Sequence, residues 1–381
     1  MLIITYSKIL FFFALSFILG IGVASFFRFS LWLVLELFLL SLAYLIISRK
    51  NKRVVIFALC LFAFALGFIR PITSITPTAP PPIAGPARLI NKVLPSPQSE
   101  LLGGILFGGQ QDLDYSWKQK MNLSGVRHIT AVSGANIMLL SQIIIWLMLN
   151  LRVNRRYAYL AVIFLLWLYI VLIGFPASGI RAGVMATLLL LAGFFGRQNH
   201  SQRTIVLAGS IMLAINPGLL RYDIGFQLSF LATLGLVFAA KPIAQFLREK
   251  FKFCDKLGLA DFLALNLAAL IFTLPLSIYY FGYFSPISIL ANLLISPAVC
   301  LIMIFGFLIV SFGYFSLFLA KTSATACYFL LSYLLLIIDF TAKTPLVGWR
   351  LFLPRLAVVA CYGFLFFWIA KRRGQTSNSF L

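Results

Sequence analysis

Three stretches of this chain, Ile9–Phe27, Leu31–Ile47 and Leu160–Ile173, are apolar almost without interruption. They are too long and too uniform to serve as core strands or as one face of a soluble helix. Crossing a hydrocarbon layer of about 30 Å takes about 17–25 apolar residues in a helix, and these runs meet that length or approach it. In such a solvent every backbone N–H and C=O must be satisfied within the spanning element, which leaves helices as the only structure for runs of this kind. The remainder of the chain agrees: 62% of its 381 residues are hydrophobic and only 10% charged, against roughly 25% charged in soluble domains. Its 39 Phe and 14 Tyr suit lipid contact and interfacial belts.

The fold expected is all-α, a polytopic transmembrane bundle of about twelve spans, some broken or re-entrant. The segments are 9–27, 31–48, 54–69, 128–149, 158–175, 180–196, 204–216, 225–240, 261–280, 287–313, 322–339 and 356–370. Lys8 and the first apolar run resemble a signal peptide, but no small-residue cleavage site follows, so a retained first helix is expected. With the N-terminus inside, the positive-inside rule assigns to the cytoplasm Lys8, the Arg49–Arg53 cluster, Arg152, Arg155 and Arg156. It assigns there also Arg197, Arg203, the Lys241–Lys256 loop, Lys321 and the Lys371–Arg373 cluster. Both termini then face the cytoplasm. Pro297, near the middle of the long run 287–313, suggests a broken or re-entrant helix there.

Residues 1–70 form an N-terminal set of spans, 71–127 an extracytoplasmic segment, 128–373 a channel-like core and 374–381 a short tail. Within the extracytoplasmic segment, Pro71–Pro86 is a proline-rich linker. Arg88–Leu94 and Glu100–Phe107 read as short amphipathic helices on the membrane surface. The GGILFGG sequence could let helices approach closely, but it lacks the Lys-Ser/Thr of a nucleotide-binding loop. The five cysteines are scattered and no CxxC occurs, which points to packed thiols. The surplus of 31 Lys and Arg over 9 acids gives a net charge of +22, suited to acidic membrane lipids or to nucleic acid.

Four segments place polar side chains where lipid-facing helices cannot hold them. Ser124–Met138 brings Arg127, His128, Ser133 and Asn136 into or beside a span. Gly174–Met185 presents Ser178 and Arg181 after a Gly/Pro turn. Asp223–Phe230 aligns Asp223, Phe226, Gln227 and Phe230 at i, i+3, i+4 and i+7. Ala291–Pro297 adds Asn292 beside Ser296. Ionisable groups in a bilayer cost roughly 2.5–3.5 kcal/mol each and usually face a cavity or a partner. Either these residues bond helix to helix, or they line a hydrated path; their clustering toward one membrane face favours the path.

The order and wording of these segments resemble the transmembrane competence domain of the ComEC family, the DNA-internalisation channel of naturally transformable bacteria. The resemblance covers about residues 88–340. It rests on Gly125, His128, Ala131, Val132, Ser133 and Gly134, then on Gly179, Arg181 and Ala182. The word Asp223, Phe226, Gln227, Leu228, Ser229, Phe230 follows, and Asn292 with Pro297 completes it. The chain departs from the family in carrying Asn136 where a histidine is usual. The proline-rich stretch leaves no room for an OB-fold-like domain. With only His128 and His200, the chain is expected to have no metallo-β-lactamase-like nuclease and no zinc site.

The resemblance implies passage of single-stranded DNA, with Arg127 and Arg181 attracting phosphates and Phe226 and Phe230 stacking bases, gating or simply packing. Gln227, Ser133, Asn136 and Asn292 supply uncharged hydrogen bonding, and Asp223 orients Arg181 or Arg221. No Walker A sequence occurs, so no ATPase, cofactor or enzymatic role is expected of the chain itself. The implied partners are a DNA receptor, a cytoplasmic ATP-driven translocase and a separate nuclease, with a homo-oligomer also open. Two other readings compete: a secondary transporter of a small anion or envelope precursor using a helix broken at Pro297, and an intramembrane serine hydrolase built on Ser133 and His128. Glu36, alone in an early span, suggests a helix–helix hydrogen bond.

Overall fold

The structure, a computed structural model, describes residues 6–26, 31–47, 52–69, 84–108, 113–130, 134–174, 177–195, 201–251, 258–344 and 349–377. The described residues of the segments expected to span are largely helical. In chain order these are α1 (Tyr6–Phe26), α2 (Leu31–Ile47) and α3 (Lys52–Ile69), then the short α4 (Ala84–Val93), α5 (Gln98–Phe107) and α6 (Tyr115–Leu123). A 3-10 turn, Arg127–Thr130, leads to α7 (Gly134–Asn150), α8 (Arg155–Leu172), α9 (Ala177–Phe194), α10 (Ser201–Ile215) and the single turn α11 (Leu219–Tyr222). There follow α12 (Ile224–Phe238), α13 (Ala240–Lys250), α14 (Leu259–Phe281), α15 (Ser288–Gly313), α16 (Leu317–Ala342) and α17 (Arg355–Ser377). The one departure from all-helical structure among the described residues is an antiparallel pair, β1 (Tyr283–Phe284) with β2 (Trp349–Arg350).

Five helices, α1, α8, α14, α15 and α16, are long and apolar enough to cross a membrane, and α12 with α13 makes a sixth if that bent pair is one span. The chain is thus a multi-pass membrane protein. Its ends and turns follow local chemistry. Asn154 caps α8 by accepting from the Arg156 amide at 3.1 Å. Gly258 and Gly282 bound α14 at φ of 64° and 67°, the left-handed region that glycine enters without Cβ strain.

The chain divides into two compact units, one of Met1–Thr78 with Val184–Phe230 and one of Ala79–Gly183 with Leu231–Leu381. In the first unit α1 and α3 meet backbone to backbone. A Cβ on Gly20 would collide with the Phe64 carbonyl, and one on Gly67 would lie 2.7 Å from the Ile21 amide nitrogen. Small residues of this kind let membrane helices gain van der Waals contact that bulkier ones prevent. α2 lies on α3, with Phe38 edge-on to Phe62 at 4.9 Å. Glu36 is exposed on α2 and not buried between helices.

The second unit is organised around the long pair α15 and α16. Here α5 is no surface helix. Leu101, Leu102, Ile105 and Leu106 are each fully buried in the cluster that includes Ile302, Leu331 and Leu334. α5 is apolar almost all round, so burying only one face would leave leucines wet. Gly306 on α15 opens the seat, because a Cβ there would come within 2.8 Å of Leu102 Cδ1 and 2.9 Å of Leu106 Cδ1. Of the GGILFGG glycines, Gly103 has open space beside it and Gly104 is buried.

The expected break at Pro297 is also displaced. α15 runs unbroken through the proline. Its missing N–H frees the Leu293 carbonyl, and hydroxyls enter the same turn: Ser296 Oγ donates to Asn292 O at 2.7 Å and Tyr333 donates to Leu294 O at 3.3 Å. The bend lies instead between α12 and α13, at 52°. There Ala240 and Ala244 are buried while Lys241, Arg248 and Lys250 are exposed, an amphipathic pattern that cannot continue straight through hydrocarbon.

Candidate functional site

The expected site residues fall into two groups, one in each compact unit. Arg127, His128, Asn136, Ser178, Arg181 and Asn292 belong to the second unit; Asp223, Phe226, Gln227 and Phe230 belong to the first. Ser133 lies outside the described residues.

The first group begins at Gly125. Its φ of 70° and the proximity of Ser288, whose Cβ would stand 2.6 Å from an added Cβ, both require glycine. The chain then drops Val126 into the core, with its amide donating to Met121 O at 3.0 Å. That anchor leaves Arg127 and His128 exposed on the 3-10 turn, which Thr130 closes by donating to Arg127 O at 3.0 Å. Ser288, which Gly125 touches, starts α15 one helical turn before half-buried Asn292. α15 also packs against α7. α7 in turn approaches α9, since a Cβ on Gly134 would sit 3.9 Å from Ala182 Cβ. On these two helices Asn136 is 5% exposed and Arg181 6% exposed; Ser178, one turn earlier on α9, is half-buried. All six residues of this group thus stand on elements that touch in sequence from the turn through α15 and α7 to α9.

Five further residues hold this arrangement and escaped sequence reading. Lys120 pairs with Asp339 at 2.6 Å, and Lys343 pairs with the other carboxylate oxygen at 2.6 Å. Ser124, fully buried, donates to Ile338 O at 3.1 Å, and Thr341, equally buried, donates to Ser124 Oγ at 3.0 Å. α6 is thereby pinned to the C-terminal turns of α16. Its own start is set by Asp114, where hydrogen bonds from the Ser116 hydroxyl and the Tyr115 amide hold the carboxyl below the usual range. The partners are more than two hundred positions apart, and the one hint in the sequence is Asp339, an acid within an apolar run.

The second group forms a corner. Asp223 Oδ1 accepts from the Phe226 amide at 2.9 Å, capping α12. Gln227 Nε2 donates back to Leu220 O at 2.8 Å and to Arg221 O at 3.2 Å, carbonyls left over by α11. Phe226, 3% exposed, lies 4.4 Å from the Phe230 ring and packs with Ile21, Met212 and Leu213. The acid, the amide and the aromatics share a stripe as expected, but the first two stitch backbone, Phe226 is core and Phe230 is partly buried against it. Of the readings open for Phe226 and Phe230, packing is the one this geometry supports. Two surface hollows, of about 590 and 430 Å³, run along α16, and none of the expected site residues lines them.

Comparison with known proteins bears on the same region. Residues 105–375 match the family model described as competence protein. Over 207 residues the chain is 27% identical to ComE operon protein 3 of Bacillus subtilis (strain 168), covering 54% of this chain and 25% of that relative. The chain therefore spans about a quarter of the length of the curated relative it matches. No solved structure matches it.

Proposed function

The chain belongs to the competence protein family, and from that premise we propose that it forms the conduit by which single-stranded DNA crosses the bacterial cytoplasmic membrane during natural transformation. The observation that carries the reading is that Asn136 and Arg181, both nearly inaccessible polar side chains, stand in two apolar helices of the family-matched segment. Ionisable groups inside a bilayer are costly and usually face a hydrated path or a partner, and a path for a polyanion needs such groups along it.

In this reading twelve helices span the membrane, both termini are cytoplasmic, and Arg127 with Arg181 draws phosphates inward. His128, Asn136, Ser178 and Asn292 offer uncharged hydrogen bonds beyond them, so that the strand is not held too tightly to move. Asp223 and Gln227 shape the α11–α12 corner, and Phe226 and Phe230 hold α12 in place. The chain catalyses nothing itself; a receptor delivers DNA, an ATP-driven translocase pulls, and a separate nuclease removes the other strand. The unbroken course of α15 removes the feature on which a broken-helix transporter rested.

The test is uptake of labelled DNA into a nuclease-protected cytoplasmic pool. Deleting the gene should abolish uptake, the wild-type chain should restore it, and Arg181→Ala should lower it about tenfold or more at equal membrane abundance, with Arg181→Lys intermediate. Undiminished uptake in the deletion strain would overturn the assignment.

A further inference from the structure

We propose that Asp339 and Thr341, on the last turns of α16, are positioning residues for the DNA-contacting turn that carries Arg127 and His128; the inference rests on the conduit reading above. Neither side chain belongs to the turn. Each acts through α6. Asp339 holds Lys120, whose ammonium also sits 4.4 Å from the centre of the Trp117 ring. Thr341 holds Ser124, the residue immediately before the Gly125 turn.

Each of the two hydroxyls has one proton and a choice of acceptors, one within its own helix and one across the contact. Ser124 Oγ is within hydrogen-bond reach of Lys120 O at 2.9 Å and Ile338 O at 3.1 Å, and Thr341 Oγ1 reaches Ile337 O at 2.7 Å as well as Ser124. Two fully buried hydroxyls are thus placed between α6 and α16, where apolar residues of similar size would fill the space without fixing register. Two residues beyond Ser124 the backbone is committed, with Val126 buried and Gly125 against Ser288. Arg127 and His128 are the first exposed side chains after this anchor, so a rotation or slip of α6 on α16 moves their charged and polar tips directly. A phosphate-attracting group must be held in place to act on a passing strand, and the clasp removes that freedom before DNA arrives.

The experiment uses the full chain in lipid nanodiscs for hydrogen exchange and the same variants in cells for uptake. Thr341→Val combined with Asp339→Asn should raise amide exchange across residues 120–130 by about tenfold, leaving α8 and α14 unchanged. In cells it should raise the half-saturating DNA concentration about fivefold, with maximal uptake nearly kept, as expected when an attracting group is misplaced and not lost. Asp339→Glu with Thr341→Ser should restore both. Unchanged exchange overturns the proposal, as does raised exchange with an unaltered uptake curve at every DNA concentration. A wild-type chain that supports no uptake would remove the conduit reading itself, and the exchange result would still decide whether the clasp holds the turn.

Discussion

Two helix contacts, one taken from each compact unit, solve the same packing problem in opposite ways. In the first, α1 and α3 are brought together by removing side chains, so that Gly20 and Gly67 let backbone meet backbone. In the second, α5 is seated by leaving one gap, at Gly306, and filling it with Leu102 and Leu106. Lipid tails are as apolar as leucine, so neither contact gains much from expelling water; both depend on fit. The difference lies in what can yield. A carbonyl cannot rotate away from an added methyl, whereas the end of a leucine can.

That contrast can be broken by substitution. Gly20→Leu should have the largest effect, about 3 kcal/mol or more, because α1 and α3 must separate. Denaturation in detergent should show loss of the cooperative transition of the first unit, and shortening Phe64 to Ala should not restore it, since the obstacle is its backbone. Gly125→Ala comes next, at about 2 kcal/mol. Part of that cost is the left-handed φ and part the contact with Ser288, so Ser288→Gly should recover only a fraction. Gly306→Ala should cost about 1 kcal/mol, and Leu102→Ala in the same chain should offset it. A double-mutant cycle with strong coupling at 306 and 102 and none at 20 and 64 would sharpen the comparison; equal coupling at both would abolish it.

The smallest effect is expected at Asp114. Its folded carboxyl is held below the unfolded value, so its contribution is fully present above the ordinary carboxylate range and is lost as pH falls through the lower folded value. Asp114→Asn should therefore loosen the start of α6 slightly at neutral pH, seen as faster amide exchange at residues 115–118. Wild type and variant should converge in acid. A difference that grows as pH falls would contradict this assignment.

Much of the architecture is legible in the sequence because the bilayer enforces it. An apolar run of sufficient length has few alternatives to a helix, and the described residues of the runs identified that way are largely helical. Contacts between distant segments are not enforced so simply. α5 reads as a surface element because its ten residues are too few to span, yet its leucines find cover in α15 and α16. Pro297 reads as a break because the hydroxyls of Ser296 and Tyr333 cannot be foreseen in the same turn. At the site, the polar words around Arg127, Arg181 and Gln227 were visible as misfits in apolar runs. Lys120, Ser124 and Thr341 were not, since each looks ordinary until its partner is known.

The burial of α5 has a consequence for how the protein is made. Gln98, at its start, meets Ser332 across 234 positions of chain, and Gly306 comes nearly as late. A ribosome releases this helix long before the α15 and α16 residues that cover it, with only Ile90 and Leu94 of the same cluster already made. During that interval its leucines must wait at the translocon, against lipid or against an insertase. Chains interrupted anywhere before α16 should then be marked for proteolysis through this one exposed decapeptide.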